Sequence, residues 1–211
     1  MFTDHELGYM RDTDFLLTKA TVAEKVTTLL EQTHHRLRTH VVQETYTFPP
    51  EVSVRSGKIS RGENYRQLPY WVLDYPRHFT NGDVFALRTM FWWGHFFSVT
   101  FQLGGVSWEQ YRPLVLSHRD QLRGSGVSIC ISDDPWQHHR DPDYYRPVQN
   151  LSDDSLCQTL SEQEFLKLAI FLPVDRGTEL PQYALTFFKQ MLRLIGWKTQ
   201  HDPFSGVKQR N

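Results

Sequence analysis

Two strand-length apolar runs, residues 84–92 and 95–103, meet at Trp93-Gly94, and they constrain this chain more than any other feature. Gly94 permits the positive φ of a tight turn. Aromatic and β-branched residues favour strand on both sides. With Trp92 opposite His95, one face carries Val84, Ala86, Arg88, Met90 and Trp92 against His95, Phe97, Val99, Phe101 and Leu103. The other carries Phe85, Leu87, Thr89 and Phe91 against Phe96, Ser98, Thr100 and Gln102. Both faces are largely apolar, so the hairpin is expected at the centre of a sheet covered on at least one side by helices.

The flanking segments supply those helices. Residues 18–43 carry Val22, Val26, Leu29, Leu30, Leu37 and Val41 at helical spacing, with Thr21-Val22-Ala23-Glu24 as a capping box. Residues 107–122 place Trp108, Tyr111, Val115 and Leu122 on one face, with Pro113 marking a kink or a late start. Residues 179–195 form an amphipathic helix stopped by Gly196. Further strands are expected at 70–75, 127–131 and 166–174, with a turn at Asn81-Gly82, and loops at 57–67 and 133–153. This order predicts an α+β fold: a single domain over 1–211, a mainly antiparallel sheet with flanking helices, and 1–17 and 198–211 peripheral.

Composition narrows the function classes. The net charge is −1, so nucleic acid and anionic lipid have no general electrostatic pull on the chain, and nucleic acid is disfavoured as a partner. Cys130 and Cys157 are too few for a disulfide scaffold. No window supplies the ~20 apolar residues of a membrane span, and the N-terminal residues lack a signal pattern, so no membrane partner and a cytoplasmic location are expected. There is no dinucleotide fingerprint, phosphate loop, nucleophile elbow, HExxH or paired CxxC, and no cofactor is implied.

Gly62-Glu63-Asn64-Tyr65-Arg66-Gln67-Leu68-Pro69-Tyr70-Trp71-Val72-Leu73-Asp74-Tyr75-Pro76-Arg77, then Phe85-Ala86-Leu87-Arg88-Thr89-Met90-Phe91-Trp92-Trp93-Gly94 and Pro135-Trp136-Gln137-His138-His139, resemble blocks of a family of small uncharacterised bacterial soluble proteins. The resemblance spans most of the chain. It implies a bacterial, intracellular protein and transfers no catalytic residue.

Two stretches can carry chemistry. Arg88 falls among apolar neighbours on its strand face and needs a carboxylate, for which Asp74 is the natural choice. Arg66, Arg77 and Arg88, with Tyr65, Tyr75, Asp74 and His95, are candidates for a pocket that clamps a small anionic ligand. The chain then reads as a non-catalytic ligand-binding or interaction module with an arginine and aromatic pocket, able to form a homodimer through exposed aromatics. The alternative is a hydrolase, metal-dependent or not, built on the Asp/His-rich loop 133–143. No metal site is assigned, and His138, His139 and Asp141 are the alternative ligand set.

Overall fold

The computed structural model describes residues 1–44, 46–80 and 82–197. Its elements are α1 (Asp4–Arg11), α2 (Thr13–Gln43), β1 (Lys58–Tyr65), β2 (Leu68–Phe79), β3 (Val84–Trp92), β4 (Phe96–Gly104), α3 (Gly105–Ser117), β5 (Ser128–Cys130), β6 (Tyr145–Pro147), α4 (Asp153–Glu162), β7 (Phe165–Pro173) and α5 (Leu180–Leu194). The strands form one seven-stranded sheet in the order β1-β2-β3-β4-β7-β5-β6, and each described pairing is antiparallel. This is the α+β architecture expected from the sequence. No helix among the described residues is long and apolar enough to cross a membrane.

The central hairpin forms, but one residue out of the expected register. Phe96, not His95, pairs with Trp92, and Thr100 pairs with Arg88. The turn is Trp93-Gly94-His95, with Gly94 at φ 77° and His95 N–H donating to the Trp92 carbonyl at 3.1 Å. A three-residue turn with a left-handed glycine adds one residue to the loop, and one residue inverts every side chain of the second strand. Phe97, Val99, Phe101 and Leu103 therefore share a face with Phe85, Leu87 and Phe91. That face packs under α2, α3 and α5 as the main core. The opposite face takes Ser98, Thr100 and Gln102 beside Arg88, all three nearly inaccessible to solvent. It becomes a polar field between two small apolar clusters, one around Val72, Met90 and Trp92 and one around Cys130, Tyr145, Phe165 and Ala169.

Other boundaries also differ. The long helix starts at Thr13, and Thr21 lies inside it, donating its hydroxyl to the Leu17 carbonyl. The capping box is formed by Thr3 and Glu6 at the head of α1, a helix not expected from the sequence. The polar stretch 57–67 is mostly strand β1, and its turn to β2 puts Arg66 and Gln67 at φ 50° and 66°. The short strand expected at 70–75 runs from Leu68 to Phe79. Helix α3 begins at Gly105 and carries Pro113 within it. Residues 153–162, of which only Asp153 belongs to the loop expected at 133–153, form α4, capped by Ser152. Gly82 has the positive φ of a turn, while Asn81 and the tail after Lys198 lie outside the described residues.

Candidate functional site

The segment between β5 and β6 folds over the polar face of the sheet, and hydrogen bonds from three strands hold it there. Tyr65 at the end of β1 accepts the His138 main-chain N–H at its hydroxyl, 2.7 Å away. Tyr145 of β6 donates its hydroxyl to the Gln137 carbonyl at 3.0 Å. Lys167 of β7 donates to the Pro135 and Gln137 carbonyls at 2.7 and 2.6 Å. Within the loop, Asp134 accepts from Trp136 N–H and from the Gln137 side-chain amide. The loop is therefore an ordered cover, and its carbonyls enter the sheet's polar field.

Asp74 and Arg88 lie opposite each other on β2 and β3. Arg88 Nε donates to Asp74 Oδ1 at 2.7 Å and Nη2 donates to Oδ2 at 2.9 Å, the pair expected from the sequence. The guanidinium lies 5.6 Å from the ring centres of both Phe79 and Trp136. Its Nη1 is 3.4 Å from His138 Nε2. The other ring nitrogen, Nδ1, is 3.2 Å from Lys167 Nζ. Asp74, Arg88, His138 and Lys167 thus form one continuous polar chain from β2 to β7.

Electrostatics in this chain are set by burial. Lys167 is fully buried, and desolvation, aided by Arg88 and opposed by Cys130 and Asp134, pushes its ammonium down to about 7. His138 is driven well below the usual imidazole range, first by burial and then by Lys167, Arg88 and His139. Burial also raises the Cys130 thiol, and it raises the Tyr145 phenol well above its ordinary value.

A cavity of about 420 Å³ opens beside this chain, lined by Arg88, His138, Tyr65, Tyr70, Val72, Met90, Asp134, Trp136 and Gln137. Of the candidate pocket residues, Tyr65 and Arg88 line this cavity, and Asp74 is held to Arg88 without lining it. The other candidates do not join them. Tyr75 is on the helix-covered face, donating its hydroxyl to the Val54 carbonyl. Arg66 lies over Tyr144, His95 stacks on Trp92 at 3.6 Å, and Arg77, opposite Ala86 on the face that carries Arg88, does not line the cavity. A three-arginine clamp is therefore not assembled. His138, His139 and Asp141 do not converge either: His139 Nδ1 is 3.2 Å from the Tyr65 hydroxyl, and Asp141 caps the Asp143 N–H. Among the described residues no three His, Cys, Asp or Glu side chains are grouped to hold a metal ion.

Lys167 escaped the sequence reading. Its signal was a lone charge between Leu166 and Leu168 in an otherwise apolar strand. A larger groove, about 880 Å³, runs between α2 and α5, but its α2 wall is exposed side chains apart from His40, and no buried charge enters it. No family model, curated protein or solved structure matches the chain. The resemblance to bacterial soluble proteins thus rests on the quoted blocks alone.

Proposed function

We propose that this protein binds a small carboxylate ligand with a flat apolar body in the cavity beside Arg88. One observation carries the reading. A guanidinium has five N–H groups and no acceptor. Asp74 takes two, and His138 Nε2 takes at most one. At least two donors remain on a group that is fixed by Asp74 and lines the cavity. A carboxylate is the acceptor that two guanidinium N–H groups fit best. Tyr65, Tyr70, Trp136, Val72 and Met90 offer flat and apolar walls to the rest of the ligand. The volume lies in the range of about 300–1,000 Å³ usual for small-molecule sites.

The test is calorimetric titration with benzoate, phenylacetate and 2-naphthoate, with benzamide as the uncharged control. At least one carboxylate should bind, and benzamide at least tenfold more weakly. Trp136 is 46% exposed, so Trp136→Ala should weaken binding without shifting the unfolding midpoint. Equal binding of benzoate and benzamide, or no binding by any of the three carboxylates, refutes the reading.

A further inference from the structure

The hydrogens of the Arg88–His138–Lys167 chain can be assigned by counting. Arg88 can only donate, so His138 Nε2 at 3.4 Å from Nη1 has to accept and carries no hydrogen. A neutral ring then bears its hydrogen on Nδ1, which faces Lys167 Nζ at 3.2 Å. Nζ can accept that hydrogen only as a neutral amine. Its own two N–H groups then go to the Pro135 and Gln137 carbonyls, and every donor meets an acceptor.

Protonating Lys167 breaks this match. The ammonium has three N–H groups and no lone pair, so the third has to donate to His138 Nδ1. The ring hydrogen moves to Nε2, where it opposes the Arg88 Nη1–H. Arg88 stays charged and is held in place by Asp74. What resolves two N–H groups opposed at the wall of a cavity is an anionic oxygen that accepts from both.

We infer that Lys167, His138 and Arg88 form a proton relay that couples carboxylate binding in the cavity to the uptake of one proton. The inference rests on the ligand class proposed above. A solvent acid gives a proton to His138 Nε2 from the cavity side, and the Nδ1 hydrogen passes to the Lys167 lone pair. One N–H bond forms at Nε2, one moves from Nδ1 to Nζ, and the solvent acid leaves as its conjugate base. The ligand then accepts from His138 Nε2–H and Arg88 Nη1–H together.

The surrounding groups leave Lys167 as the site of the proton. Arg88 from β3 is matched by Asp74 from β2. Cys130 of β5 and Tyr145 of β6 are raised by burial and stay neutral near pH 7. From the loop come Asp134, which favours the ammonium, and His139, which disfavours a charged His138. Tyr65 of β1 meets the loop through its hydroxyl, and the β4 residues paired beside the chain are Thr100 and Gln102, which are uncharged.

Two measurements on the wild-type protein test the relay. Ring ¹⁵N shifts of His138 without ligand should show the Nδ1–H form above about pH 8 and the Nε2–H form below about pH 6. The midpoint should fall near the Lys167 value of about 7. A ring that keeps one tautomer throughout overturns the relay. Benzoate titrated at about pH 8 in buffers of different ionisation enthalpy should take up about one proton, and above pH 7 its affinity should fall about tenfold per pH unit. Lys167→Met should abolish both the uptake and the slope. Benzoate binding with no proton uptake overturns the relay and leaves the ligand class standing. A tautomer switch without carboxylate binding overturns the coupling together with the ligand class and leaves standing only the proton transfer between His138 and Lys167.

Discussion

Arg88 and Asp74 are cross-strand partners joined at 2.7 and 2.9 Å, and this pair fixes the guanidinium that lines the cavity. Asp74 is 5% exposed, so removing Arg88 leaves a carboxylate that water barely reaches. Arg88→Met and Asp74→Asn should each cost about 3 kcal/mol. The double variant should cost less than the sum, with a coupling of about 1–3 kcal/mol. Urea melts of the four proteins measure it, and additive losses would show that the two residues do not stabilise one another.

Lys167 makes folding depend on pH in a defined direction. Its folded value of about 7 lies below the ordinary 10.5. Between the two, the unfolded chain holds a proton that the folded chain does not, so stability rises with pH. Below about 7 both states are protonated and the folded state carries the full cost of a buried ammonium. Cys130 is shifted up, and Tyr46 and Tyr75 are pushed up to about 12, so these groups act in the opposite direction once their unfolded forms ionise. The clean window is therefore about pH 7 to 8, below the ordinary thiol value of about 8.5. Wild type should gain up to about 1.4 kcal/mol per pH unit there, and Lys167→Met should be flat. Denaturant melts across the window check this, and parallel profiles would assign the rise to other groups.

Gly94 and Gly105 separate two costs of a positive φ. Both are left-handed, at 77° and 55°. A Cβ on Gly94 meets nothing within 4 Å, whereas one on Gly105 collides with the Gly82 carbonyl. Gly94→Ala should cost only the backbone strain, about 1–2 kcal/mol. Gly105→Ala has to move the β2–β3 turn as well, and a loss on the order of 3 kcal/mol or more is expected. Equal midpoints for the two variants would mean that the turn yields freely.

The same residues show what the sequence could reveal. β3 and β4 were legible because buried aromatic and β-branched residues bracket a glycine, and α5 because its apolar stripe runs unbroken to Gly196 at φ 83°. The register was not, since a two-residue and a three-residue turn are both compatible with Trp93-Gly94-His95. β1 was missed because, as an edge strand, it has only Ile59 and Tyr65 as sizeable apolar residues and shows no alternation. α4 did leave a signal, Ser152 followed by Leu156 and Leu160 one turn apart, both fully buried. The Asp74–Arg88 pair follows from adjacent strands. The partners of Lys167 do not, because Pro135, Gln137 and His138 belong to a loop some thirty residues earlier, and only the folded topology shows which strand that loop covers.

Tyr65 joins that loop to the sheet edge, and the last prediction isolates its hydroxyl. The Tyr65 oxygen accepts the His138 N–H at 2.7 Å and lies 3.2 Å from His139 Nδ1. Tyr65→Phe keeps the ring that packs near Trp92 at 5.1 Å but leaves the His138 amide without its acceptor. An unsatisfied buried donor costs about 1–3 kcal/mol, and here the segment bearing His138 can relieve it by opening to water. The loss should therefore appear as faster hydrogen exchange at the His138 amide, with a smaller change in global stability. His138 lines the cavity, so affinity for benzoate should fall in step. Tyr70→Phe is the control: Tyr70 also lines the cavity, but its hydroxyl has no hydrogen-bond partner among the described residues, so exchange at His138 should stay at the wild-type rate. Unchanged exchange in Tyr65→Phe would show that Lys167 and Tyr145 hold the loop without it.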